Sequence, residues 1–250
     1  MATNHGFLKE DEMVVHLNNK KVKDLTNNCR NLIKELFGAL DDDALIACTK
    51  TEGSVKPDLI IECNGKTRYL SMKSGRSEIV HQEIVKNFVL FLRSLGVSKR
   101  TQQTILLFHF GDGTMDGSAK ERMSYERIRM LLADRIKEAN DELNHDKNLI
   151  LQVVRRAVFV GAVEGAPKAD ALYHGDYEFG MVVSQKQVEK HILRKKWDYM
   201  NNLHIGPLHI RPSARYVGRE IVSEKRRHRL ECFWPHLKDD IDYIARRYDD

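Results

Sequence analysis

The stretch KPDLIIECNGKTRYLSMKSG, residues 56–75, constrains the fold of this chain more than any other. Asn64-Gly65 lies between two β-prone runs. In that setting Asn-Gly is the strongest short-range signal for a two-residue type I′ hairpin, because both central residues must take positive φ. The turn also sets a register: Cys63 pairs with Lys66, and Asp58 comes to face Ser71. Lys73 and Lys56 stand one diagonal step away on the same face, since side chains alternate along a strand. Opposed Cβ atoms lie about 5 Å apart and diagonal ones about 7–8 Å, so Asp58, Ser71 and Lys73 are predicted to share one patch.

The elements around the hairpin follow from periodicity. Val22, Leu25, Cys29, Leu32, Ile33, Leu36 and Leu40 recur at helical spacing and predict an amphipathic helix over 22–40. Strands are expected at 44–50, 58–63 and 67–73. A second helix is expected from Ser77, a good N-cap, to the glycine at 96. TILLFHF (104–110) and AVFVGAV (157–163) read as buried strands, with a helix over 124–143 between them. After the loop EGAPKADALYHGD come a strand at 179–184, a basic helix over 185–200, and strands around LHIRP and YVGREIV. Strands alternating with helices predict an α/β fold with a mixed sheet flanked by helices and a basic, β-rich C-terminal extension. The reading is of one domain over 1–250.

Net charge is informative once localised. Residues 186–230 hold twelve Lys or Arg and four acids, against a chain total of +5, so a basic segment sits on a slightly acidic body. That distribution suits a polyanion, and nucleic acid leads. No apolar run approaches the roughly 18 residues of a membrane span, and the N-terminal residues lack signal-peptide order, so no membrane partner and a cytoplasmic location are expected. Cys29, Cys48, Cys63 and Cys232 form no CxxC pair. His228, Cys232 and His236 recur every four residues, but Pro235 breaks any helix that would align them, so packing is expected rather than zinc.

Pro57-Asp58, the hairpin and Ser71-Met72-Lys73, with a helix before and after, resemble the PD-(D/E)xK nuclease motif. The C-terminal basic segment strengthens a resemblance to type II restriction endonucleases. The resemblance implies a restriction-endonuclease-like fold, with the catalytic core at about 22–110 and the DNA-binding part at about 186–230. It implies a homodimer that hydrolyses phosphodiester bonds in double-stranded DNA with Mg²⁺, for which Mn²⁺ can substitute. Asp58, Ser71 and the Met72 carbonyl are the implied metal ligands, and Lys73 orients the attacking water. Ser71 stands where the motif has an acid, so a second carboxylate is sought elsewhere, first at Glu83, then Glu35, then Glu62. Lys56, Arg76, Gln82, Arg211, Arg215, Arg219, Lys225 and Arg226 are the expected DNA contacts, with Arg76 near a helix N-terminus that favours phosphate. Two alternatives stay open: an inactive DNA-binding protein on the same fold, and a structure-specific nicking or repair nuclease.

Overall fold

A computed structural model describes residues 5–53, 55–75, 78–119, 121–199, 202–213 and 224–248. Among them are ten strands: β1 (Lys20–Lys21), β2 (Leu45–Lys50), β3 (Leu59–Cys63), β4 (Lys66–Lys73), β5 (Ile79–Ile84), β6 (Ala171–Gly175), β7 (Gly180–Ser184), β8 (His204–Ile205), β9 (Leu208–Pro212) and β10 (Arg229–Phe233). The chain divides into two compact units. The first holds residues 1–78, 158–191 and 236–250, and the second 79–157 and 192–235.

The first unit is built on a six-stranded sheet in the order β1-β2-β3-β4-β6-β7. All neighbours are antiparallel except β4 and β6, which run parallel and make the sheet mixed, as expected. The predicted hairpin is present in its predicted register, with Cys63 opposite Lys66 and Leu59 opposite Leu70. Asn64 and Gly65 take φ of 48° and 72°, the positive values a type I′ turn requires. Helices His5–Leu17, Asn27–Phe37 and Leu237–Arg247 pack on this sheet. The middle helix is shorter than predicted because Val22–Asp24 forms a 3₁₀ turn. Thr26 then caps the helix, its Oγ1 accepting from the Cys29 amide at 3.2 Å. Met13, Leu17, Cys29, Leu32, Ile33, Ile46, Leu59 and Ile61 fill the core beneath, each fully buried aliphatic side chain contributing about 1.5–3 kcal/mol.

The second unit carries an antiparallel sheet ordered β5-β10-β9-β8. Helices Val85–Ser94 and Lys99–Phe110 lie against it. Here several expectations are corrected. Within the span of the predicted helix, Ile79–Ile84 is a strand, and the helix starts only at Val85. IVHQEI buries Val80 and Glu83, and its pairing with β10 overrides the local helical signal. TILLFHF is the last part of a helix rather than a strand: Ser98 caps it, accepting from Thr101, and Gly111 ends it in the left-handed region. A short apolar run cannot by itself distinguish a buried helix from a strand. AVFVGAV likewise continues helix Lys147–Arg155 as a π-helical turn, Arg156–Val160. The helix expected over 124–143 is two, Tyr125–Leu131 and Ala133–His145. The expected loop ending at residue 176 contains β6, and HRLECFWPH contains β10. Cys232 is fully buried on this strand. YVGREIV, Ser77, Arg76, Arg215 and Arg219 lie outside the described residues.

Candidate active site

The site is assembled at the end of the hairpin in the first unit. The Asp58 amide donates to the Leu70 carbonyl at 2.8 Å, extending the β3–β4 ladder by one residue and fixing where the carboxylate points. Asp58 Oδ2 accepts from the Met72 amide at 2.6 Å and from Ser71 Oγ at 3.2 Å. Lys73 Nζ stands 3.8 Å from the same oxygen. The three residues predicted to converge therefore do so. All these contacts fall on Oδ2, which leaves Oδ1 for a ligand. The Asp58 and Lys73 side chains are 22% and 20% exposed, so both are shielded yet reachable from solvent. Ser71 is completely buried.

A further carboxylate, missed in the sequence, comes from helix His5–Leu17. Glu10 Oε2 is 3.1 Å from Lys50 Nζ on β2, and Lys50 also binds Asp11 at 3.0 Å. Burial pushes the Glu10 carboxyl above its ordinary range. The Lys50 hydrogen bond opposes that, the negative charge of Asp58 adds to it, and Lys73 again opposes it. Glu10 thus lies within electrostatic reach of both hairpin residues. No periodic or motif signal pointed to it, because this helix was not predicted and the pairing of β2 with β3 is what carries Lys50 and Glu10 toward Asp58.

The other expected carboxylates are placed differently. Glu83 lies on β5, not on a helix, and its side chain is 3% exposed. Its oxygens accept from Arg156 Nε at 2.9 Å and Nη2 at 2.7 Å, and His81 Nε2 is 3.0 Å away. Burial opposes its charge, but the hydrogen bonds from Arg156 and His81 prevail and hold its carboxyl below the usual range. Glu35 is exposed and lines a separate cavity of about 1030 Å³ with Asn28, Asn31 and His174, in which neither Asp58 nor Lys73 takes part. Glu62 is exposed and accepts from Thr67. Among the described residues no group of three or more His, Cys, Asp or Glu could hold a metal ion.

Of the expected DNA contacts, Lys56 is buried, its Cβ packed where a side chain on Gly161 would stand. Arg76 and Ser77, where a helix N-terminus was foreseen, lie outside the described residues, and the described chain that follows enters strand β5 at Ile79. Gln82 on β5 is exposed and Arg211 on β9 is partly so. Arg226 is exposed on the short helix Glu224–Arg227, and the Lys225 side chain lies outside the described residues.

A mixed sheet flanked by helices, with the Asp58 hairpin at its centre, is the restriction-endonuclease-like α/β fold. A solved structure of this fold, the restriction endonuclease MspI in complex with its cognate DNA, aligns with a TM-score of 0.51, covering 93% of this chain and 92% of that one at 15% identity. At that identity the likeness is one of fold. No protein-family model and no curated protein sequence matches the chain. Among the described residues no helix is long and apolar enough to cross a membrane.

Proposed function

We propose that the protein is a divalent-metal-dependent endonuclease acting on double-stranded DNA, with a PD-(D/E)xK-type centre at Asp58, Ser71 and Lys73. The observation that carries this reading is the 3.8 Å approach of Lys73 to Asp58 across the hairpin of a restriction-endonuclease-like fold. The donor set suits Mg²⁺, a hard cation that prefers oxygen ligands. Asp58 Oδ1 and the Glu10 carboxylate would hold it, with the Met72 carbonyl as a third oxygen. The Glu10 carboxyl is raised first by burial, and the Asp58 charge adds to it, so the two carboxylates feel one another's charge. When bound, the metal neutralises the phosphodiester and lowers the pKa of a coordinated water.

The chain's own groups do the rest. Ser71 and the Met72 amide hold Asp58 in one rotamer, so its free oxygen is aimed before substrate arrives. Lys73 orients the water for attack on phosphorus and offsets charge that builds on the phosphoryl oxygens. Glu10 replaces the acid that the motif carries at the position of Ser71. The first unit supplies this chemistry, and Gln82, Arg211 and the basic 186–230 segment bind the duplex. Site-specific cutting of both strands suits a homodimer, whose two-fold axis matches that of a palindromic site.

Incubation with plasmid and phage DNA in Mg²⁺ or Mn²⁺, followed by sequencing of the ends, tests the reading. Cuts at a fixed sequence, abolished by chelator, are the expected result. Salt-sensitive binding without cleavage in either metal would overturn the enzymatic reading in favour of an inactive DNA-binding protein. Nicks that follow DNA structure rather than sequence would replace the restriction reading with a repair nuclease.

A further inference from the structure

One row of polar side chains in the second unit is built for presentation. Gln82, Glu231 and Arg211 stand side by side on β5, β10 and β9, with Glu231 opposite Gln82 on one side and Arg211 on the other. Gln82 Nε2 donates to Glu231 Oε1 at 2.9 Å, and Arg211 Nε donates to Oε2 at 3.0 Å. Phe233 lies beneath the guanidinium, its ring centroid 4.1 Å from Cζ. The Glu231 side chain is 7% exposed, that of Arg211 35%. On the opposite face of the same strands Leu230, Cys232, Ile210 and Pro212 are buried, so this face is the open one.

The bonds decide what is left over. Carboxylate oxygens accept, so Gln82 must turn its nitrogen to Glu231, which leaves its amide oxygen and one N–H outward. Arg211 gives up Nε and keeps both terminal nitrogens, a pair of parallel donors. Paired donors match the O6 and N7 acceptors of guanine, and an acceptor beside a donor matches N6 and N7 of adenine. Both side chains are immobilised before any ligand arrives, which lowers the entropic cost of binding. A merely structural ion pair would need neither the phenylalanine platform nor the second, neutral partner.

We propose that this row reads base edges in the major groove, Arg211 taking a guanine and Gln82 an adenine, with Glu231 as the positioning residue that holds both. Two strand spacings separate the readers, about 9.6 Å, so the two bases lie within about three steps of 3.4 Å along the duplex. The inference rests on the nuclease reading for its substrate and adds the composition of the site.

Binding is measured in Ca²⁺, so that cleavage plays no part. A randomised duplex pool is selected first, and the selected guanine and adenine are then replaced by their 7-deaza analogues. Each analogue should weaken binding by wild-type protein on the order of tenfold. In Arg211→Ala the guanine analogue should bind as the natural base does, and in Gln82→Ala the adenine analogue should do so. If both variants bind more weakly but keep the full analogue penalties, the bases are read elsewhere and the proposal is wrong. A pool with no base preference overturns it as well, and plasmid cleavage in Mg²⁺, scored separately, then shows whether the nuclease reading survives.

Discussion

Asp58 in the first unit and Glu83 in the second both stand on or beside a β-strand with a basic side chain near. Glu83 is almost fully enclosed, bonded by two guanidinium nitrogens and flanked by an imidazole. Asp58 is partly open, its contacts crowd onto one oxygen, and its lysine stops at 3.8 Å. A buried carboxylate whose charge is fully answered has nothing left for substrate, and removing it exposes the cost of what it balanced. A carboxylate held in place but left under-coordinated can accept a cation. The difference separates an acid that balances a buried charge from one with an oxygen to spare more sharply than distance along the motif does.

The comparison breaks most visibly at the hairpin. Asp58→Ala and Lys73→Ala should each abolish Mg²⁺-dependent plasmid cleavage, a loss of at least about 10²-fold for a group acting in proton transfer or charge stabilisation. Thermal melting of Lys73→Ala should remain close to wild type, since its side chain is partly exposed. Asp58→Ala instead leaves the buried Ser71 hydroxyl and Met72 amide without their acceptor and should lose about 1–3 kcal/mol, so its cleavage is scored on the folded fraction. Cleavage retained by both variants would remove the site from this hairpin.

Glu83→Ala should show the opposite pattern. It leaves Arg156, only 17% exposed, without its partner, a change that costs about 3–5 kcal/mol for a buried pair. Urea unfolding should register that loss, while the Mg²⁺ concentration giving half-maximal cleavage by the remaining folded enzyme stays put. A shifted metal requirement with unchanged stability would make Glu83 a metal ligand after all.

Glu10→Gln should sit between these. Loss of even a partner that only supports a metal's ligands costs about 10- to 100-fold in metal affinity, so removing this carboxylate should raise the Mg²⁺ requirement by at least that order. Glu10 also gives the site a pH dependence of defined sign. Its carboxyl is raised by burial first and by Asp58 as well, so the folded state holds this proton more tightly than the unfolded chain does. The stability it contributes is therefore present at low pH and lost as pH rises through the raised value. A divalent cation relieves the resulting strain, so Mg²⁺ should raise the melting temperature more at pH 7.5 than at pH 5. Glu10→Gln should flatten that difference, and a pH-independent metal shift in wild-type protein would count against Glu10.

What the sequence revealed and hid follows the range of the interactions concerned. The hairpin was legible because Asn64-Gly65 dictates its register through backbone sterics confined to two residues. β5 was not, since IVHQEI becomes a strand only by pairing with β10, nearly 150 residues further along. The same holds for β6, whose parallel pairing with β4 depends on a crossover. TILLFHF reads as a strand because a short, nearly continuous apolar run does not distinguish a helix from a buried strand, although only Leu106 and Leu107 within it stay partly exposed. Glu10 was invisible for a related reason: its role depends on Lys50 being carried to Asp58 by the β2–β3 pairing, not on any spacing within the motif.

The smallest expected effect lies at Ser71, and it tests whether that residue is a ligand or a brace. Its hydroxyl donates to Asp58 at 3.2 Å from a fully buried position, on the oxygen that also takes the Met72 amide. As a brace, Ser71→Ala removes one of two hydrogen bonds and costs about 1 kcal/mol, with the amide still holding Asp58 in place. Cleavage should then fall severalfold at saturating Mg²⁺, with little change in the metal requirement. A metal ligand would behave the other way, raising the Mg²⁺ requirement while leaving the saturated rate near wild type. Titrating cleavage rate against Mg²⁺ for this variant beside Glu10→Gln separates the two, because Glu10 is expected to move the midpoint and Ser71 the plateau.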